Sequence, residues 1–211
     1  DGSVDYYLGV NYLDEDGWRK FSPTTVKQTF GKLGWQNEST KIDLTYLNAN
    51  NDMIGNGIVP QEMMTSFGRE AIYTRPDQTR NFLNQLTLNL SHWINNDVML
   101  SANTYYRRSN RNTINGDVNG DFNESPPLPA PQHACEGAAG DDNRLCESVM
   151  NRTRTRQNSY GIQAQLAFNQ DLLGKKNQFI VGTGYDRSVI RFSQTQEFGE
   201  FFDATTGCLK I

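Results

Sequence analysis

Residues 160–169, with the sequence YGIQAQLAFN, alternate apolar and polar side chains more regularly than any other part of the chain. Tyr160, Ile162 and Leu166 fall on one face, and Gln163 and Gln165 fall on the other. Because successive side chains of a β-strand point to opposite faces, this period of two predicts a strand with one apolar face. Less complete versions of the pattern occupy residues 4–12, 26–35, 42–50, 82–93, 98–107 and 179–190. The chain is therefore predicted to be all-β, with about seven strands.

The segments between these strands are short at one end of the predicted sheet and long at the other. Short turns lie at residues 37–39, 95–97 and 170–175, and long segments lie at residues 14–25, 52–80 and 109–156. Outer-membrane β-barrels have short periplasmic turns and long extracellular loops. We therefore predict an antiparallel, up-and-down transmembrane β-barrel segment in which residues 109–156 form a long extracellular loop.

The composition limits the other possibilities. The 211 residues carry 20 Lys and Arg against 24 Asp and Glu, for a formal charge of −4, so no nucleic-acid partner is indicated. Mean hydropathy is −0.68. No stretch approaches the roughly 20 apolar residues that a membrane helix needs, whereas a barrel strand needs an apolar residue only at every second position.

Three further features favour a barrel over a soluble sheet. The predicted strands are ~9–11 residues long, which suffices to cross a bilayer at a tilt. Their polar face repeats Gln, Asn, Lys, Asp and Gly, as a water-filled lumen requires. Beside the short turns, where a barrel has an aromatic girdle, lie Trp35, Trp93, Phe168 and Phe179. Trp93 is out of register with the apolar face of its strand, so it either needs a bulge or weakens the case for a girdle.

The number of strands indicates an incomplete barrel. Seven strands cannot close a barrel with an even strand number, and lipid does not tolerate an open sheet edge. The chain also begins at Asp1 and ends shortly after a predicted loop. We therefore expect residues 1–211 to be part of one larger β-barrel domain.

Cysteine spacing indicates an oxidising compartment. Cys135 and Cys146 flank ten residues within one Pro- and Gly-rich loop, and a disulfide between them suits an exported protein. Closing such a loop stabilises a protein by roughly 3 kcal/mol in the chain-entropy treatment. A pair of reduced, unrelated thiols is the alternative, and Cys208 is left without an assigned partner.

Three stretches carry a resemblance to a known family: residues 6–19 (YYLGVNYLDEDGWR), 30–35 (FGKLGW) and 72–81 (IYTRPDQTRN). They resemble strands and loop borders in the barrel of TonB-dependent outer-membrane receptors. This family has an N-terminal plug inside a 22-stranded barrel and imports siderophores, haem, vitamin B12 or other scarce nutrients. The resemblance implies an outer-membrane location, a siderophore or other small nutrient as ligand, and contact with TonB through an N-terminal region that this sequence lacks.

Arginines cluster where predicted strands meet the long loops: Arg69, Arg75, Arg80, Arg107, Arg108, Arg111, Arg152, Arg154 and Arg156. Guanidinium groups offer paired donors to carboxylates, so such a cluster suits an anionic iron chelate. Arg107 follows Tyr105 on the predicted lumen face. The candidate ligand-binding residues are Arg75, Arg80, Tyr105, Arg107 and Arg108. The alternative is that these charges solvate the barrel rim or pair with lipopolysaccharide phosphates in the surrounding membrane.

Oxygen-bearing side chains at Asp117, Asn119, Asp121 and Asn123 have the spacing of a calcium loop. Phe122 occupies the position where that motif has glycine, so a solvated turn is the competing interpretation. No cofactor is otherwise required. No arrangement of catalytic residues is evident either, because His92 and His133 are far apart and share no metal-ligand spacing with cysteine.

Two other functions fit the same pattern. One is a soluble, exported β-sheet module that binds, for example, a carbohydrate. In that case a second sheet should shield Val4, Tyr6, Leu86, Leu88, Ile162 and Leu166 from solvent. The other is a porin, which a plug domain upstream would exclude.

Overall fold

The computed structural model describes residues 2–121, 146–203 and 208–210. The elements are β1 (Ser3–Glu15), β2 (Thr24–Gln36), β3 (Thr40–Ile54), α1 (Gln61–Phe67), β4 (Asp77–Trp93), β5 (Val98–Val118), β6 (Ser148–Phe168), β7 (Phe179–Asp203) and β8 (Cys208–Lys210). Each strand pairs antiparallel with its neighbour in sequence, and β8 adds only a short pairing to β7. The prediction of an all-β, up-and-down barrel segment of about seven strands is confirmed, and the sheet is not closed.

Two of the three short connections fold as tight turns, each built around one asparagine side chain. Asn37 accepts hydrogen bonds on Oδ1 from the backbone N–H groups of Ser39 and Thr40, at 3.1 and 2.7 Å. Asn95 does the same for Asp97 and Val98. Such Asx turns stabilise a tight reversal because the side chain replaces a backbone acceptor. The third connection at this end, residues 169–178, is longer than predicted and contains a backbone bridge between Leu172 and Lys175. At the other end of the sheet, residues 16–23, 55–76 and 119–147 connect the strands.

The strands are longer than predicted, and the loop predicted at residues 109–156 is correspondingly shorter. β5 continues to Val118 and β6 begins at Ser148, so the connection covers only residues 119–147. The strand extensions are polar on both faces, for example in residues 107–113, RRSNRNT. Apolar alternation therefore ends before the backbone pairing does, and the sequence pattern misses the extensions.

The pairing register is continuous from β1 to β7 until the end of β7. Directly opposed residues lie on the same face, so each face can be followed across the sheet. The apolar face carries rows such as Leu44, Leu88, Thr104, Ile162 and Tyr185. The polar face carries rows such as Asp43, Asn89, Asn103, Gln163 and Gly184.

Trp93 belongs to the polar face. It opposes Met99, which lies next to Ala167 on β6, and no bulge interrupts β4. Trp93 therefore does not join the predicted aromatic girdle on the apolar face. Phe168 and Phe179 do lie together on the apolar face, with ring centroids 6.0 Å apart.

The apolar face is exposed along most of its length. Tyr6 is 84% exposed, Val4 65% and Ile162 56%. Within the described residues no second sheet covers this face, contrary to what a soluble two-sheet module requires. Buried apolar side chains among the described residues are few: Ala71, Ile72, Cys146, Val149, Met150 and Ala167. Burial within this segment therefore provides little of a conventional hydrophobic core.

Two long connections pack together at the loop end of the sheet. Arg19 donates hydrogen bonds from Nη1 to the carbonyls of Asn56 and Gly57 and from Nη2 to the carbonyl of Ala71, at 2.9–3.0 Å. The guanidinium of Arg75 lies 4.0 Å from the ring centroid of Phe21. These contacts join residues 16–23 to residues 55–76. Among the described residues no helix is long and apolar enough to cross a membrane.

Candidate functional site: the polar face of the sheet

The polar face forms a groove between β4 and β7. Asn89, Ser101, Asn103, Gln163 and Asp186 are among its lining residues, and its volume is about 610 Å³. Gly182 and Gly184 also line it and leave room because they have no side chain. Amides, hydroxyls and one carboxylate thus line a concave surface that suits water or a polar ligand.

One row at the edge of the groove brings three residues into close contact: Tyr105, Gly161 and Asp186. The three residues are directly opposed on β5, β6 and β7. Tyr105 donates a hydrogen bond from its hydroxyl to Asp186 Oδ1 at 2.8 Å, and Asp186 Oδ2 accepts one from Gln163 Nε2 at 3.4 Å. A Cβ added to Gly161 would lie 2.7 Å from Tyr105 Cε1 and closer still to Asp186 Oδ1. The tyrosine ring therefore lies across the glycine and is fixed by the carboxylate.

A charge cluster lies on the polar face of the first three strands. Lys32 Nζ lies 3.3 Å from Asp5 Oδ1 and 2.9 Å from Asp43 Oδ1. Lys41 is farther from Asp43, at 3.7 Å to Oδ2. The polar face thus carries paired charges on β1–β3, whereas on β4–β7 neutral polar groups surround a few charges, including Asp186 and Arg107.

The five predicted ligand-binding residues lie in three different places in the structure. Tyr105 and Arg107 share the polar face, where Arg107 opposes Gln85 and Ser159. Arg80 and Arg108 lie on the opposite face, in the rows of Asp52 and Asn84. Arg80 donates from Nε to Asp52 Oδ2 at 2.9 Å. Arg75 stacks on Phe21 in the packed connections. The sheet therefore brings together two of the five on its polar face.

The predicted calcium residues lie where β5 ends. Asn119 is 6% exposed, and its Nδ2 donates to the carbonyl of Cys146 at 2.8 Å. Its Oδ1 accepts from the backbone N–H of Asp121 at 3.2 Å. No cluster of three or more Asp, Glu, His or Cys able to hold a metal ion occurs in the described ranges. Asn123 lies outside them, so calcium binding by Asp117, Asn119, Asp121 and Asn123 stays a prediction.

The cysteines are only partly described. Cys146 is 7% exposed at the end of the connection that begins after Val118. The backbone N–H of Asn119 donates to the carbonyl of Glu147 at 2.9 Å, so the two ends of this connection are held together. Cys135 lies outside the described residues, and the disulfide between Cys135 and Cys146 stays a prediction.

Two titratable groups near the loop end of the sheet, Asp77 and Tyr12, have shifted pKa values. Partial burial raises the pKa of the Asp77 carboxyl, a hydrogen bond from Asn115 opposes the rise, and the Asp117 charge adds to it. A hydrogen bond to Asp14 and the charge of that residue raise the pKa of the exposed Tyr12. Neither group lines the groove. His92, on the apolar face, has Nδ1 within 2.8 Å of Thr40 Oγ1, as expected of a strand-end residue.

Sequence reasoning missed the groups that organise this face. It left out Asp186, Gln163 and the Lys32 cluster, although the alternation already places all of them on the polar side. The missing information was the register between strands, which decides which polar residues become neighbours. Arginine clustering in sequence, by contrast, joined residues that belong to opposite faces.

Comparison with known proteins supports the fold of a β-barrel segment, and it shows no sequence family. No family model matches this chain, and no curated protein sequence matches it. The crystal structure of the ferric citrate transporter FecA in the unliganded form matches with a TM-score of 0.72 and 10% identity, covering 98% of this chain and 26% of that chain. The RagAB peptide transporter matches with a TM-score of 0.52 and 12% identity, covering 92% and 24%. This chain therefore spans about a quarter of the length of either.

Proposed function

We propose that this chain forms part of the barrel wall of a TonB-dependent outer-membrane receptor that binds and imports a scarce nutrient. The observation that carries the proposal is the division of one continuous sheet into an exposed apolar face and a concave polar face. Both structural neighbours are named as transporters, one of ferric citrate and one of peptides, which supports a transport role. The TonB contact would belong to a part of the protein other than this segment.

The height of the apolar face supports contact with lipid. On β5 it runs from Val98 to Tyr106, and its upper border is the tyrosine row, which we define as Tyr46, Tyr106 and Tyr160. Eight residue steps span about 27 Å along a strand and about 20 Å across a bilayer at a tilt of ~40°. This approaches the apolar band of about 25 Å in outer-membrane barrels, and interfacial tyrosines suit its border. We call this part of the apolar face the apolar band.

For the nutrient we propose an iron–siderophore complex that passes along the polar face. Arg107 and Tyr105 lie there, and Arg107 supplies positive charge that can attract an anionic chelate beside the groove. The ferric citrate transporter in the comparison adds support through its name alone. The competing ligand class is peptide, since the other neighbour is a peptide transporter.

Two experiments test this function. Fractionation of cells that express the full-length protein should place it in the outer membrane, and recovery from the soluble periplasmic fraction would refute a barrel. A deletion strain should then lose energy-dependent uptake of a labelled ferric siderophore, and Arg107→Gln should weaken that uptake. Uptake that persists when the membrane is de-energised would indicate a porin instead.

A further inference from the structure

The arginines of β5, β6 and β7 are concentrated on the apolar face. Unbroken alternation places six there: Arg108, Arg152, Arg154, Arg156, Arg187 and Arg191. Arg107 and Arg111 are on the polar face of β5. A nutrient that passes along the polar face therefore does not meet most of the positive charge of these strands.

These arginines begin at the upper border of the apolar band. Arg187 extends the tyrosine row, because it opposes Tyr160. Arg108 lies in the next row, beside Asn158, and Arg156 opposes Arg191 one row farther. Rows on one face are two residues apart, or about 7 Å along the strand. Arg108, Arg156 and Arg191 therefore lie within about 7–14 Å of the tyrosine row.

Acidic partners are scarce on this surface. Within the described parts of β4–β7 whose side chains are described, Glu197 is the one acid on the apolar face, and it pairs with Arg152. Arg108, Arg154, Arg156 and Arg191 are exposed and have no ion pair within those strands. Like charges this close repel one another, so the surface gains stability when an anion binds.

We propose that this outward arginine surface, Arg108, Arg154, Arg156 and Arg191, binds the phosphate groups of a lipid head group, which in an outer membrane is lipopolysaccharide. Guanidinium groups pair with phosphate through two parallel hydrogen bonds. Lipid phosphates are the anions found at the polar border of an apolar band, and basic side chains near such a surface attract them. The inference rests on the proposed membrane location and adds a lipid partner to it.

The test is binding of fluorescent lipopolysaccharide to the full-length protein purified in detergent. Arg156→Gln and Arg111→Gln form a matched pair, because each removes one charge at almost the same height on opposite faces. Arg156→Gln should weaken binding about fivefold, and Arg108→Gln combined with Arg156→Gln about 25-fold, if each arginine contributes a typical surface attraction. Arg111→Gln should stay within about twofold of the unmodified protein.

Three results would overturn the inference: equal losses in Arg156→Gln and Arg111→Gln, undiminished binding of dephosphorylated lipopolysaccharide, or displacement of the lipid by millimolar inorganic phosphate. Fractionation separates this failure from failure of the proposed function. If the protein resides in the outer membrane but the matched pair binds lipid equally, only the lipid site is refuted. If the protein is soluble and binds no lipopolysaccharide, both proposals fail.

Discussion

The two faces of the same strands impose opposite demands on their neighbours. In adjacent positions of β4, Leu88 lies between Leu44 and Thr104 on the apolar face, and Thr87 lies between Thr45 and Tyr105 on the polar face. The apolar face has no covering layer among the described residues, whereas the polar face is concave and internally hydrogen-bonded. One sheet can therefore separate lipid from an aqueous path, provided that further strands close it.

The largest difference between the two faces is expected when the same charge is placed on each of them at two adjacent residues of β4. Leu88→Arg puts a charge inside the apolar band, one row below the tyrosine row, and should destabilise the folded protein in lipid by about 2 kcal/mol, between the costs at the bilayer midplane and at its interfaces. Thr87→Arg places the same charge on the polar face and should cost less than ~1 kcal/mol. Urea unfolding in lipid vesicles, followed by tryptophan fluorescence, measures both. Equal costs for the two variants would mean that the apolar face does not meet lipid.

One glycine on each face tests whether the two faces differ in how closely their side chains pack. Gly161→Ala on the polar face forces the Tyr105 ring and the Asp186 carboxylate to move, which should cost about 1–3 kcal/mol. Gly31→Ala on the apolar face meets no atom within 4 Å and should be neutral or stabilising by up to about 1 kcal/mol. The same unfolding assay measures both variants. A neutral Gly161→Ala would refute the packing of Tyr105 across this glycine.

A smaller effect on stability is expected from removing a charge from the cluster around Lys32 on the polar face. Lys32→Met removes the ammonium between Asp5 and Asp43 and should destabilise the protein, because the two carboxylates then lack the positive charge between them. Lys41→Met is the matched control, because Lys41 is 52% exposed and 3.7 Å from Asp43. It should change stability by less than ~0.5 kcal/mol. The difference should shrink in 1 M salt, and a salt-independent difference would indicate packing rather than charge.

The same contrast explains how much of the fold was predictable from the sequence. In residues 160–168 one face is apolar and the other polar, so the period of two was visible and the strand was predicted correctly. Residues 107–113 are polar on both faces, since the strand there has passed the apolar band. Backbone pairing continues without any pattern in the side chains. Strand ends at the loop side were therefore predicted too early.

The site was less predictable because it depends on which residues of different strands face one another. Tyr105 and Arg107 were placed correctly by parity within one strand. Asp186 is 81 residues from Tyr105 in sequence, and only the pairing of β5 with β6 and β6 with β7 brings them together. Local spacing carries no information about such pairs, and it grouped Arg107 with Arg108 although adjacent residues point to opposite faces.

The smallest effect is expected above the apolar band, where both faces meet water and the face should no longer matter. Asp77 has a raised pKa there, so its ionised form is less stable in the folded protein than in the unfolded chain. Asp77→Asn should therefore stabilise the protein slightly at pH 7, by less than ~0.5 kcal/mol, because the carboxyl is largely solvated. The gain should disappear as the pH falls through the folded pKa towards the ordinary value of 3.8, where both states are protonated. Unfolding midpoints at pH 7 and pH 4 measure this, and a gain that grows at pH 4 would show that the folded state favours the charged carboxylate instead.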